Sequence, residues 1–178
     1  MARQLRADAR DNHALLLAAA KEVFAEDGPG APLDRVARRA GIGNATMYRH
    51  FPNRRELLAA VYAGEVDALR AEGEALLSAP DPDEALYEWL HRFVEHVKDK
   101  RDLALSISDD PVEREARFTA WHQTITTTAA ALAARARLAD DVEPLDLLLL
   151  ATGIALSGAP ETRTDHLLTL LRRGSTPT

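Results

Sequence analysis

His91 and Glu95 stand one helical turn apart, and His96 and His122 add two more imidazoles to the same half of the chain. Side chains of these types can ligate a metal or move a proton. Their spacing matches no metalloprotease motif, and the sequence has neither a phosphate-cradling Gly-rich loop nor a nucleophile elbow. With no cysteine present, a thiol nucleophile, a cysteine metal site and a disulfide framework are excluded. Exposed i, i+4 pairing accounts for His91 and Glu95 without any chemistry. No catalytic residue, metal or cofactor is therefore expected, and a metal-dependent enzyme is the remote alternative.

A second grouping is better organised. In the segment Val36 to Phe51, the apolar positions Val36, Ala37, Ala40, Ile42, Met47 and Phe51 suit the inner side of two short helices, and Gly41 suits the tight turn between them. That leaves Asn44, Ala45, Thr46, Tyr48, Arg49 and His50 to face outward. They offer donors, acceptors and one small apolar group, the chemistry that reads base edges and grips phosphates. A helix, a short Gly-containing turn and a second polar-faced helix form the frame that lays a recognition helix in the major groove. In the alternative reading, Tyr48 and His50 merely cover the first helix.

The surrounding elements must hold this frame. Helix signals dominate and no segment shows the strict alternation of a half-buried strand, so the chain reads as all-α with about nine helices. The first spans about Asp11 to Asp27, with Leu16, Ala20, Val23 and Phe24 on one face and Gly28 as its stop. A second runs from Leu33 to Ala40, and a third begins after Gly43 and ends before Pro52. Asn53 and Glu56 form a capping box for a long fourth helix reaching towards Leu77. The fifth opens after the Ser78 to Asp83 break, and a short sixth lies near Asp102 to Ile107. Asp110 should cap the seventh, which carries Phe118, Trp121, Ile125 and Leu132. The eighth starts near Pro144 and is apolar nearly all round; the ninth runs from about Thr164 to Arg173, before a disordered tail of Ser175 to Thr178.

Composition sets the wider limits. The 178 residues are 46% hydrophobic and 28% charged, a balance that fits a folded chain. No apolar run approaches the roughly 20 residues needed to cross a bilayer, and the start lacks a signal-peptide core, so a cytoplasmic protein with no membrane partner is expected. The net charge of −6 by itself speaks against a nucleic-acid partner. Its distribution reverses that: residues 1–55 hold ten Lys or Arg against six Asp or Glu, leaving twelve against twenty-two for residues 56–178. A basic head on an acidic body marks a protein that meets phosphate at one end. The expected domains are accordingly a DNA-binding head over 1–55 and a helical body over 56–178.

Residues 10–58 resemble the DNA-binding domain of the TetR family, the tetracycline-repressor-like regulators. The likeness rests on Ala19-Ala20, Phe24, Gly28, Val36-Ala37, Ala40-Gly41, Thr46, Tyr48, His50-Phe51, Arg54 and Leu57-Leu58. Four residues depart from it: Leu33, where the family often has a hydroxyl residue, Gly43, where it often has serine, and Asn44-Ala45, where Lys-Gly is common. The resemblance implies that Tyr48, His50 and Arg54 touch phosphates, with Thr46 and the Asn44-Ala45 corner nearest the bases. Arg3, Arg6 and Arg10 either form an arm along the DNA or a solvated tail.

The resemblance also implies a C-terminal domain that dimerises and binds a small-molecule effector, releasing double-stranded operator DNA. Trp89, Phe93, His96, Phe118, Trp121, His122 and Ile125 are candidates to line the pocket, or else are simply core. The four leucines 147–150 cover every side of the eighth helix, and an exposed stripe of that kind calls for a partner. Leu147, Leu150, Ala151, Gly153, Ile154, Leu167 and Leu171 are the candidate contacts of a homodimer built as a four-helix bundle. Its recognition helices should lie about one DNA turn, roughly 34–36 Å, apart. A DNA-binding regulator without an effector, whose C-terminal helices only dimerise or recruit a protein, is the alternative.

Overall fold

The computed structural model describes the backbone of residues 2–107 and 111–177 and the side chains of residues 10–107 and 118–177. Among the described residues there are eight helices and no strand: α1 (Ala2–Asp27), α2 (Leu33–Ala40), α3 (Asn44–His50), α4 (Arg54–Leu76), α5 (Pro82–Leu105), α6 (Pro111–Ala133), α7 (Pro144–Leu156) and α8 (Glu161–Ser175). The chain divides into two compact units, Met1–Gly64 with Asp102–Arg114 and Glu65–Arg101 with Glu115–Thr178. The division falls within α4, after Gly64.

In the first unit, glycines set the ends of the helices. Gly28 ends α1 at φ 80° and Gly41 ends α2 at φ 69°, a left-handed geometry in which a Cβ is strained. Leu16, Ala20, Val23, Val36, Met47, Leu57 and Leu58 are fully or almost fully buried, so α1 to α3 and the start of α4 share one core. At about 1.5–3 kcal/mol for each large aliphatic side chain removed from water, this core holds the short helices that propensity alone would leave unformed. The backbone of residues 2–10 continues α1, so the first helix starts well before the expected Asp11.

The second unit packs around Trp89, Leu86, Leu90, Leu132, Leu147 and Ala151, all with at most 1% exposure. Asp81 caps α5 by accepting from the backbone N–H groups of Asp83 and Glu84, each at 3.0 Å. The sixth helix expected near Asp102 is the end of α5, which no proline or glycine interrupts. The expected cap Asp110 lies outside the described residues. Glu143 and Asp146 form a capping box at the start of α7.

The expected disordered tail is corrected in part, because α8 runs through Gly174 to Ser175. The Ser175 hydroxyl lies 2.6 Å from that of Tyr87, and its carbonyl accepts from the Ala139 N–H at 2.9 Å. Burial pushes the Tyr87 hydroxyl pKa up, partly offset by its bond to Ser175 and the charge of Arg172.

Candidate nucleic-acid interface

The site begins with the turn between α2 and α3. The Gly41 N–H bonds back to the Arg38 carbonyl at 3.1 Å and that of Ile42 to the Ala37 carbonyl at 2.9 Å, closing α2. Gly43 then supplies the carbonyl that accepts from Thr46 and Met47, starting α3. Met47 and Phe51 anchor α3 with 0% and 3% exposure. The opposite side of α3 is thereby turned to solvent.

Asn44, Ala45, Tyr48 and Arg49 are exposed on that side, and Thr46 and His50 are half-buried. Tyr48 shows 46% of its surface. Arg49 donates from Nη2 to the Thr46 hydroxyl at 2.8 Å, linking the side chain that can meet a phosphate to one that can meet a base. His50 is held from below, its ring centroid 6.0 Å from that of His13 in an edge contact, while His13 lies 4.9 Å from Phe51. The ring of His50 thus packs on α1 and also reaches the surface.

Arg54 has a role the sequence did not reveal. Its Nη1 donates to the carbonyls of Pro29 at 2.9 Å and Ala31 at 2.5 Å, tying the start of α4 to the turn before α2. Pro29 and Ala31 lie in a non-helical turn whose carbonyls need such a donor. Nearby, Arg39 bonds Glu22 at 2.7 Å and Glu26 at 2.9 Å, while Arg35 bonds Glu26 at 2.8 Å and pairs with Asp27. The hydrogen bond from Arg39 holds the Glu26 carboxyl below its ordinary range. Two of the ten cationic residues of the head are therefore spent on joining α1 to α2, and the signal was three carboxylates at helical spacing in α1.

The residues expected to line a pocket lie in different settings. Trp89 and Phe93 are buried and stacked on one another at 5.9 Å. The indole of Trp89 donates to the Leu69 carbonyl at 3.0 Å. His96 and Ile125 are also buried, and burial is the main cause that lowers the His96 pKa. Phe118 and Trp121 are half-buried and meet edge to face at 5.2 Å, with the exposed His122 5.7 Å from Phe118. None of the seven lines the groove between α4 and α6, about 430 Å³ in volume, which Arg70, Glu74, Gln123 and Thr127 help to form. His91 lies 2.8 Å from Asp165 and 3.6 Å from Glu95. Among the described residues, no three His, Asp or Glu are grouped to hold a metal ion, and no helix is long and apolar enough to cross a membrane.

On α7, Leu147 and Ala151 point into the chain's own core, whereas Leu150 and Gly153 are exposed and Ile154 is half-buried. Leu167 and Leu171 on α8 are half-buried. Leu149, within the expected stripe, and Leu170 are exposed by 62% and 47%, and so are Leu145 and Leu156, by 50% and 54%, which were not among the expected contacts. The spacing of 145, 149 and 156 along one helical face was the available signal.

Residues 16–61 match the family described as bacterial regulatory proteins, tetR family, and residues 81–177 match the family described as transcriptional regulator SbtR-like, C-terminal domain. The chain belongs to the TetR family. Among solved structures, the TetR transcriptional regulator SCO0520 from Streptomyces coelicolor is 33% identical, with a TM-score of 0.72 over 93% of this chain and 99% of that one. The TetR regulatory protein from Mycobacterium vanbaalenii is 28% identical, with a TM-score of 0.76 over 97% and 99%. The HTH-type regulator TtgW of Pseudomonas putida is 38% identical over 73 residues, 40% of this chain and 54% of TtgW. SrpR of the same species is 37% identical over 73 residues, 40% of this chain and 34% of SrpR. The chain thus spans about half or less of the length of these two relatives. As a TetR-family member it is a DNA-binding transcription regulator, and α2 with α3 is its helix-turn-helix.

Proposed function

We propose that this TetR-family regulator is a cytoplasmic repressor that holds a palindromic operator as a homodimer and releases it when a small molecule binds its C-terminal region. The observation that carries the DNA half is the face of α3: Asn44, Ala45, Tyr48 and Arg49 stand exposed on a helix anchored from behind by Met47 and Phe51. In this reading Tyr48, Arg49, His50 and Arg54 meet phosphates, and Asn44, Ala45 and Thr46 meet base edges. The dimer half is supported by the exposed leucines of α7 and α8, a partner-seeking face in a protein of this charge. Two such helix pairs about a two-fold axis form a four-helix bundle, whose symmetry suits a palindrome.

Effector action is a linkage: a ligand that binds better to a dimer with wrongly spaced heads lowers operator affinity by its own differential affinity. The test is binding-site selection on random double-stranded DNA, followed by operator-release assays. An enriched palindrome with half-sites about one turn, 34–36 Å, apart is the expected result. No enriched sequence, or a single half-site, would overturn the operator reading.

A further inference from the structure

The groove between α4 and α6 is built from side chains of two kinds. Leu77 and Ala131 supply apolar surface, whereas Arg70, Glu74, Gln123 and Thr127 supply polar groups. Its volume of about 430 Å³ lies within the usual range of small-molecule sites, roughly 300–1,000 Å³. The hydroxyls of Thr124 and Thr128 are turned back on their own helix, donating to the carbonyls of Ala120 at 3.1 Å and Thr124 at 2.9 Å. The Thr128 methyl packs against Gly73 of α4. Among the described residues, no hydrogen bond engages the Gln123 amide or the Thr127 hydroxyl, so neutral donors and acceptors remain available along α6.

Charge narrows the ligand. Arg70 donates to Glu74 at 2.5 Å and lies 3.6 Å from Asp67, so the wall formed by α4 is already paired. An anionic ligand would face the Glu74 carboxylate, and a cation would face the Arg70 guanidinium. Either must disrupt the pair or lie beside a like charge, with a cost in desolvation. A neutral molecule can lie over the pair and still bond to Gln123 and Thr127. We propose that this groove binds an uncharged amphipathic small molecule, with a ring-sized apolar body and one or two hydroxyl, carbonyl or amide groups.

The position of the groove gives it a regulatory role, and this part rests on the effector reading above. Gly73 lies between Arg70 and Leu77 on α4 and packs directly on Thr128 of α6 and the indole of Trp89. An occupant touching Arg70, Leu77, Gln123 and Ala131 straddles that contact. Pushing the two helices apart there displaces α4, the helix whose first residues belong to the DNA-binding unit.

The ¹⁵N-labelled full chain, titrated with benzyl alcohol and phenylacetamide and in parallel with benzoate and benzylammonium, tests the proposal by amide shifts, with operator affinity measured in the same samples. Saturable shifts within residues 70–77 and 120–131 are expected for the two neutral probes, and binding about tenfold or more weaker for the charged ones. Thr127→Val should weaken phenylacetamide about three- to tenfold, the worth of one neutral hydrogen bond. Ala120→Phe should fill the groove and abolish the shifts; if that variant misfolds, Thr127→Val alone decides. Shifts absent, or confined to other residues, overturn the groove while leaving the effector reading intact. Charged probes binding as well as neutral ones overturn the ligand class. Saturable groove binding without any change in operator affinity supports the site and removes its role as the effector site.

Discussion

Gly73 of α4 packs so closely on Thr128 of α6 that no side chain fits between them: a Cβ at residue 73 would collide with the Thr128 methyl and lie 2.9 Å from Nε1 of Trp89. Gly73→Ala should therefore cost about 1–3 kcal/mol of stability through overpacking, well beyond what an exposed helical alanine returns. Thr128→Ser removes the colliding methyl and should recover part of that loss in the double variant. Urea unfolding of the four proteins in this cycle provides the measurement, and strict additivity would show that the two residues do not share the strain.

Arg54 holds the turn before α2 through the carbonyls of Pro29 and Ala31. Arg54→Ala leaves those acceptors without their cationic donor and should destabilise the protein by about 1.5–3 kcal/mol. Thermal unfolding without DNA checks this directly, since a residue serving phosphates alone would leave the melting temperature of the free protein unchanged.

Tyr48 and Thr46 should fail differently. Tyr48→Phe is expected to weaken all DNA sequences in similar proportion, while Thr46→Ala changes the preferred bases by about 1–3 kcal/mol at one position and frees Arg49 from its 2.8 Å bond. Affinities for a panel of singly substituted operators separate the two patterns.

Stability should fall on the acid side of neutrality because of His96. Burial lowers its pKa from the ordinary 6.5, as does Lys100, against the pull of Glu65, Asp99 and Glu72. Below pH 6.5 the unfolded chain takes up a proton that the folded one resists, so the unfolded state binds more protons and stability declines as pH falls through the folded value. His96→Gln should flatten the profile below pH 6.5, as read from urea midpoints at each pH.

Leu149 is the most exposed of the α7 leucines, at 62%. Leu149→Glu should split the proposed homodimer and reduce operator affinity by at least about tenfold, because each half-site is then bound singly. Sedimentation equilibrium distinguishes the outcomes, and an unchanged mass would remove this face from the interface.

The parts legible in the sequence were those dictated by local chemistry. Gly28 and Gly41 end their helices with positive φ, and Asn53 accepts from the Glu56 N–H at 3.0 Å, as a capping box requires. The outward residues of α3 followed from the apolar spacing around Met47. What escaped were features decided by distant partners. The short helix expected near Asp102 to Ile107 is part of α5, because lysine, arginine and aspartate at 98–102 lack the backbone constraint of proline or glycine and the helix continues to Leu105. The burial of Ser175 depends on Tyr87, and the role of Arg54 on two carbonyls more than twenty residues earlier, neither of which leaves a local trace.

The ion pairs of α2 bear on how the regulator searches a genome. Because Arg35 and Arg39 are bound to Glu22, Glu26 and Asp27, they neutralise few phosphates and release few of the cations condensed on DNA, and the acidic remainder of the chain adds repulsion. Non-sequence-specific DNA then holds the protein briefly, and millions of competing sites sequester little of it. Search should proceed through many short visits instead of long slides, a behaviour visible as sub-second dwell times in single-molecule tracking on DNA lacking the operator. Occupancy in such a system depends on how well α3 fits its site, so small changes on that helix can redirect the regulator to new promoters.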